Sequence, residues 1–228
     1  AIAGYQRSLR NAWEIRDRWT ACLNIAGLSA VNERLGKVDL AESLYRKAID
    51  IGVRLGIPSY LSGMLVGLAR LLLERGRAAE ARDFYGEALS RIASVTGDRL
   101  AGEDTRFDAR VLGVRLRHAL GELSGAEAVA ELAAQLSGET SPDRQAALQY
   151  ELWRLMPENA AACAAAAAFY RSQHEDTGAE ESRRRYQELT GEILLDPPPL
   201  PDISELIPDE PEDLELARVL AEMEASFG

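Results

Sequence analysis

A chain of 228 residues with 46% hydrophobic side chains is long enough to enclose a core, which excludes a wholly disordered protein. Its formal net charge of -11 is unevenly distributed, because residues 192–228 contain eleven acidic side chains and one basic side chain. Residues 1–191 contain 26 acidic and 25 basic side chains and are nearly neutral. With no basic excess, we expect no binding to nucleic acid.

The two cysteines and the apolar runs bear on the compartment. Cys22 and Cys163 lie far apart and have no second cysteine or histidine at a metal-binding or redox spacing. We therefore expect two reduced thiols and a cytoplasmic protein. The longest apolar run, residues 160–170, is about half as long as the roughly 20 residues that a membrane-spanning helix needs. No membrane segment is therefore expected.

Residues 1–92 contain a pattern that recurs every 40 residues. A small residue is followed four positions later by tyrosine and three positions after that by a second small residue: Ala1, Tyr5 and Ser8; Ala41, Tyr45 and Ala48; Ala81, Tyr85 and Ala88. This is the spacing of one helix face. Because the first copy starts at Ala1, we expect the chain to be a piece cut from a longer protein.

A second helical pattern precedes each of the two later copies, and a glycine, Gly36 or Gly76, separates the two patterns. Glycine tolerates the left-handed backbone that ends many helices. Small residues on the facing sides allow two antiparallel helices to approach closely, and Tyr45 and Tyr85 are predicted to fill the space toward the next pair. The predicted fold class is all-α, an α-solenoid of antiparallel helix hairpins.

These residues resemble the tetratricopeptide repeat, whose order of large apolar, small, glycine, alanine, aromatic and alanine residues they follow. Asn32 departs from the family pattern, which has a large apolar or aromatic residue at that position. The period of 40 residues also exceeds the usual period of about 34. Such long repeats resemble the C-terminal arrays of large bacterial signalling ATPases and ATP-dependent transcriptional regulators.

Residues 93–191 are predicted to continue the helical packing with a weaker register. Residues 105–136 are predicted to form a third, degenerate hairpin, in which Gly121 and Ala126 restore the spacing and alanine replaces the aromatic residue. Three more helices are predicted at about 143–156, 159–175 and 179–190. Pro157 separates the first two of these helices.

Residues 192–228 form an acidic, proline-rich tail. Three consecutive prolines at 197–199 predict extended chain, and Leu216, Val219 and Met223 recur at the spacing of a terminal amphipathic helix that begins at about Pro211. Three interpretations remain open: a solvated and partly disordered end, a cover for the open end of the repeats, or a short motif that binds another chain. A cover would use the apolar residues Ile193, Leu194, Leu195 and Leu200.

No catalytic or cofactor-binding pattern stands out in the sequence. The glycine-rich residues 52–56 lack the lysine of a phosphate-binding loop, and neither a GxSxG nor an HExxH motif occurs. His118 and His174 have no second ligand at metal spacing, and His174 is interpreted as part of a polar helix end. We therefore expect no enzyme activity, no cofactor and no metal.

In tetratricopeptide arrays, particular positions on the first helix of each pair line a concave groove. The resemblance assigns these positions to Arg34, Val66, Arg70, Leu73, Val111, Arg115 and His118, together with Ala26, Ala30, Glu33 and Glu74. Ala26 and Ala30 stand where chaperone-binding members have lysine and asparagine, so that role is not expected. Arg70 and Arg115 either grip carboxylates of a peptide, with the acidic tail as one candidate, or are solvated or paired with neighbouring glutamates.

Three classes of function follow. The leading hypothesis is a non-catalytic domain for protein interaction or regulatory assembly, which binds a protein or peptide and is part of a larger bacterial signalling or regulatory protein. In the ATPases that the chain resembles, such arrays hold the nucleotide-binding part inactive until a partner or inducer binds. The alternative is a sensor that closes its groove on a small ligand or signal peptide and relays the change to an effector domain. An enzyme would need a site without a recognisable motif.

Overall fold

The computed structural model describes residues 2–56, 58–94 and 102–195, together with Ala221 and Ala225. Regular structure in these residues is helical throughout, as the sequence predicts. The described helices are, in chain order, α1 (Ile2–Glu14), α2 (Arg18–Arg34), α3 (Val38–Arg54), α4 (Pro58–Glu74), α5 (Ala78–Ser94), α6 (Glu103–Ala119), α7 (Gly125–Gly138), α8 (Pro142–Leu155), α9 (Ala160–Thr177) and α10 (Glu180–Thr190).

The described chain divides into two compact units. The first contains α1 to α5 and α6 as far as Arg106, and it includes Ala221 and Ala225, which are both helical. The second begins at Phe107 and contains the rest of α6 and α7 to α10. In both units, helices that follow one another in the chain pack against each other. This consecutive packing is that of a helical-repeat solenoid.

Glycine ends the first helix of each complete hairpin, as predicted. Gly36 follows α2 with φ of 74°, and Gly76 follows α4 with φ of 73°. A left-handed residue at this position turns the chain toward the next helix. The four helices α2 to α5 each contain 17 residues. Their length, with short turns between them, accounts for a period of 40 residues.

Tyr45 lies between the hairpins, as predicted, but its partner was not recognised in the sequence. A Cβ atom added to Gly67 of α4 would lie 2.9 Å from Cζ of the Tyr45 ring. The same contact occurs one period earlier, where a Cβ atom on Gly27 of α2 would lie 2.2 Å from Cε1 of Tyr5. Each tyrosine therefore lies directly against a glycine of the following helix. The signal was present, because the two glycines recur at the same period as the tyrosines.

The second unit is built around two hydrophobic clusters. One joins α6, α7 and α8 through residues such as Val114, Leu132 and Leu148. Residues 105–136, predicted as a third hairpin, correspond to most of α6 and α7. The other joins α8, α9 and α10 through residues that include Tyr150 and Tyr170. The helices predicted for 143–156, 159–175 and 179–190 are α8, α9 and α10.

The segment after α10 packs on the second unit through Leu194. This side chain is buried in the cluster of α8 to α10, whereas Ile193 and Leu195 are 68% and 89% exposed. Leu200 lies outside the described residues, as does the predicted terminal helix apart from Ala221 and Ala225. Among the described residues that were predicted to cover the helices, Leu194 is therefore the buried one.

His174, which was predicted to be part of a polar helix end, lies in the last turn of α9 and is 1% exposed. Its two ring nitrogens lie 3.2 Å from the carbonyl oxygen of Ala179 and 3.1 Å from that of Leu195. The segment after α10 therefore covers the end of α9. Spacing along the chain could not reveal this, since Leu195 follows His174 by 21 residues.

Candidate interaction groove

The predicted groove residues lie on the first helices of the hairpins and belong to two units. Arg34 lies on α2 and Val66, Arg70 and Leu73 lie on α4, all in the first unit. The other three residues lie on α6 in the second unit: Val111, Arg115 and His118. Each unit therefore has its own group of groove positions.

Arg70 forms a bidentate ion pair with Glu33 of α2. Its Nη1 and Nη2 atoms donate hydrogen bonds of 2.6 and 2.9 Å to the two carboxylate oxygens. The hydroxyl of Tyr45 donates to the same carboxylate over a longer distance of 3.4 Å. The Glu33 side chain is 9% exposed, whereas that of Arg70 is 38% exposed. The guanidinium is thus paired with a neighbouring glutamate but still reaches the surface.

The charges of this pair depend on burial and on each other. Burial raises the pKa of the Glu33 carboxyl, and the positive charge of Arg70 opposes that effect. Burial also raises the pKa of the Tyr45 hydroxyl, and the charge of Glu33 adds to the rise. Burial alone would lower the pKa of Arg70, but the negative charge of Glu33 outweighs it and leaves the pKa raised. Arg70 therefore stays positively charged at physiological pH.

The other predicted residues of the first unit differ in how much surface they offer. Val66 is 4% exposed and belongs to the core. Leu73 is half-buried, and Arg34, in the last turn of α2, is exposed. The accessible part of this group therefore consists of Arg34, Arg70 and one side of Leu73.

The predicted residues of the second unit are more enclosed. Val111 is 8% exposed and lies in the cluster of α6, α7 and α8. Nη1 of Arg115 lies 3.4 Å from a carboxylate oxygen of Glu151 on α8, and the arginine side chain is 13% exposed. His118 is half-buried, and its Nδ1 atom faces the carbonyl oxygen of Leu123 at 3.1 Å. This group offers less surface to a partner than the group of the first unit.

Helices α2 to α5 combine glycine-ended first helices with a tyrosine that lies against the next hairpin. Residues 19–94 match the family model described as Tetratricopeptide repeat. This range takes in both complete hairpins of the first unit and supports tetratricopeptide repeats there. A search of curated proteins and a search of solved structures each found no match.

The acidic, histidine and cysteine side chains of the described residues bear on metal and thiol chemistry. No three of their histidine, cysteine, aspartate or glutamate side chains are grouped so as to hold a metal ion. The Cys22 thiol donates to the carbonyl oxygen of Ala48 at 3.2 Å, and burial raises its pKa to about 11. A thiol with this pKa is a poor nucleophile at neutral pH.

Within the part of the chain that the structure describes, no helix is both long and apolar enough to cross a membrane.

Proposed function

We propose that the chain is a helical-repeat domain that binds protein or peptide segments and takes part in regulatory assembly. The observation that carries this proposal is the match of residues 19–94 to tetratricopeptide repeats. Repeats of this kind are found in domains that mediate protein interactions, and their helices present a preformed surface. A partner that binds to such a surface does not have to order it, which lowers the cost of association.

The partner that we propose is a peptide that carries carboxylates and apolar residues. Arg70 is 38% exposed although it is paired with Glu33, and Arg34 is exposed on the neighbouring helix. A guanidinium has five N–H donors, so an arginine that gives two to one carboxylate can still donate to a second. Leu73 supplies an apolar contact beside them. The acidic tail of the chain is one candidate for this partner, and an acidic segment of another protein is the other.

The wider role that we propose is in a larger bacterial signalling or regulatory protein with long tetratricopeptide repeats. The 17-residue helices of the two hairpins support this, since they produce the long period by which the resemblance was recognised. The sensor alternative differs in its ligand, which would be a small molecule or signal peptide enclosed by the groove. Peptide titration separates a peptide ligand from a small molecule.

Isothermal titration calorimetry of the intact chain tests the carboxylate preference. The probes are a short peptide of alternating glutamate and leucine and a matched peptide of alternating glutamine and leucine. We expect Glu33→Gln to bind the acidic peptide at least as tightly as the parent chain, because it leaves Arg70 without a competing carboxylate. The double variant Glu33→Gln with Arg70→Met should bind it about tenfold more weakly.

The double variant removes both members of the pair, so no unpaired buried carboxylate is left to unfold the protein. Arg82→Ala, an exposed arginine on α5, is the matched control and should leave the affinity unchanged. Equal affinity for the two peptides, or an unaltered affinity in the double variant, would contradict carboxylate recognition. Failure of both peptides to bind the parent chain would count against a peptide-binding groove.

A further inference from the structure

One edge of the first unit carries exposed aromatic rings beside arginines. Trp19, at the start of α2, and Tyr60, in the first turn of α4, are 38% and 39% exposed. Their ring centroids are 5.0 Å apart and their planes lie at 88°, which is an edge-to-face contact. The turn that leads into Trp19 contains Ile15, which is 74% exposed, and the exposed Arg16; Arg18 follows it at the start of α2. We call these five residues the aromatic edge.

Arg16 has a backbone conformation that is unfavourable for arginine. Its φ is 60°, whereas the corresponding turn one period later has Gly56 with φ of 65°. A side chain in this left-handed region costs about 1 kcal/mol relative to glycine. The arginine is exposed and does not belong to the core, so packing gives no reason for it. Strained residues of this kind often belong to functional sites.

The aromatic edge is distinct from the groove positions. Trp19 is the second residue of α2 and Arg34 is the last residue of the same helix. A helix of 17 residues is about 25 Å long. A ligand bound at the aromatic edge would therefore lie at the opposite end of α2 from Arg34.

The aromatic edge and the tail differ in charge. The edge residues 15–19 contain two basic side chains, Arg16 and Arg18, and one acidic side chain, Asp17, whereas residues 192–228 contain one basic and eleven acidic side chains. Residues 202–215 alone contain seven acidic side chains, no basic one, and two prolines, of which Pro208 follows the aliphatic Ile207. Further along the tail, Ala221 and Ala225 belong to the same compact unit as the aromatic edge.

We propose that the aromatic edge binds the chain's own acidic segment, residues 202–215. Proline and aliphatic side chains pack well against exposed tryptophan and tyrosine rings. Carboxylates that flank them can pair with the guanidinium of Arg16. The tail is thereby held at one end of α2, so that of the two candidates for the groove around Arg70 an acidic segment of another protein remains. This inference goes beyond the proposed function, because it concerns another surface and another ligand.

Photocrosslinking of the intact chain tests this assignment. Tyr60 is replaced by p-benzoylphenylalanine, the chain is irradiated, and the crosslinked peptides are identified by mass spectrometry. We expect crosslinks to residues 202–215 of the same molecule. Leu40, which is 42% exposed at the start of α3, is the matched control position. The same replacement at Leu40 should give no crosslink to that segment.

A second variant tests the role of charge. Arg16→Gly removes the guanidinium and relieves the left-handed backbone, so we expect this variant to stay folded. We expect it to reduce the crosslink yield at Tyr60 about threefold, which corresponds to one exposed ion pair. Crosslinks only to other segments, or only between two molecules, would overturn the proposal, as would a yield that Arg16→Gly leaves unchanged. The calorimetric experiment on Arg70 does not depend on this edge, so the two proposals can fail separately.

Discussion

The two units of the molecule pack their aromatic side chains in different ways. In the first unit, the tyrosines of α1 and α3 each lie against a glycine of the following helix. In the second, Tyr150 and Tyr170 enclose the guanidinium of Arg185, whose Cζ atom is 5.0 and 5.2 Å from the two ring centroids. The first arrangement recurs at the 40-residue period, whereas the second joins three helices without a fixed spacing.

The difference shows what a repeated sequence can encode. Contact between a ring and a glycine depends on shape alone, so the same two residue types produce it wherever the period places them. The Arg185 cluster also depends on polar partners, since Nη1 donates to the Tyr170 hydroxyl at 2.5 Å and Nη2 lies 2.7 Å from a Glu181 oxygen. Within the described chain, its Nε atom is buried without a hydrogen-bond partner. Such a cluster is specific to its surroundings.

The largest effect is expected when Arg185, at the centre of the Arg185 cluster, is replaced. Arg185→Ala eliminates two ring contacts and the ion pair with Glu181, and it should lower the free energy of unfolding by about 3 kcal/mol. Urea denaturation followed by circular dichroism measures this change. Arg184→Ala is the control, because Arg184 is 55% exposed and pairs with Glu188; it should change stability by less than about 0.5 kcal/mol. Equal losses of stability in the two variants would contradict a larger contribution from the buried Arg185 than from an exposed arginine.

The glycine contacts of the first unit are tested by adding a methyl group. Gly67→Ala places Cβ 2.9 Å from the buried ring of Tyr45, so we expect a loss of about 1.5 kcal/mol after the gain in helix propensity. Gly27→Ala makes a closer contact, but Tyr5 is 36% exposed and can swing outward. Its net effect should be near zero. Thermal unfolding of both variants ranks the two sites.

A third glycine calibrates this comparison. Gly86 lies in the middle of α5, with open space where an added Cβ atom would lie. Gly86→Ala should therefore stabilise the protein by about 0.5–1 kcal/mol through helix propensity. A larger loss at Gly27 than at Gly67 would mean that the distance to the ring, and not the burial of the ring, decides the cost.

Two glutamates of the first unit should respond to pH in opposite directions. Burial raises the pKa of Glu33. Burial would raise the pKa of Glu42 as well, but hydrogen bonds from Arg46 and Arg77 outweigh it and leave the pKa lowered. A raised folded pKa gives stability that is present below the unfolded value of about 4.3 and is lost as the pH rises. A lowered folded pKa gives stability that is present above the unfolded value and is lost as the pH falls.

Glutamine variants isolate these two contributions. In the parent chain, the stability that Glu33 contributes falls as the pH rises. The Glu33→Gln variant lacks this contribution, so its free energy of unfolding should increase more between about pH 4 and about pH 7 than that of the parent chain. Glu42→Gln removes a contribution lost in acid, so it should lose less stability than the parent between about pH 5 and about pH 3. Urea titrations at a series of pH values provide the measurement. Parallel profiles for the two variants would contradict the assigned directions.

The smallest effect concerns the turns between hairpins. Arg16→Gly should raise the free energy of unfolding by about 0.5–1 kcal/mol, since it relieves a left-handed arginine. Gly56→Ala, at the corresponding position one period later, should lower it by a similar amount. Differential scanning calorimetry resolves both shifts. Destabilisation by Arg16→Gly would mean that the arginine side chain makes contacts that outweigh its backbone strain.

Much of the fold followed from the sequence, and less of the candidate groove. The period, the glycine ends and the helices of the second unit were predicted because helix spacing and left-handed glycines are local properties. The positions of the groove residues came from the family resemblance, and their assignment as a binding surface stays a prediction. Two of them, Val66 and Val111, are buried. One sequence does not state which side of a helix its neighbours will cover.

The sequence by itself determined which segments are helical, how long a repeat is and where tyrosine meets the next hairpin. Tertiary structure alone decided that Glu33 pairs with Arg70, that His174 is covered by the segment after α10, and that Arg185 lies between two tyrosines. Those contacts join residues 15 to 37 positions apart. They depend on how each helix is rotated against its neighbours, and that rotation is set by the packing of the whole unit rather than by any local pattern.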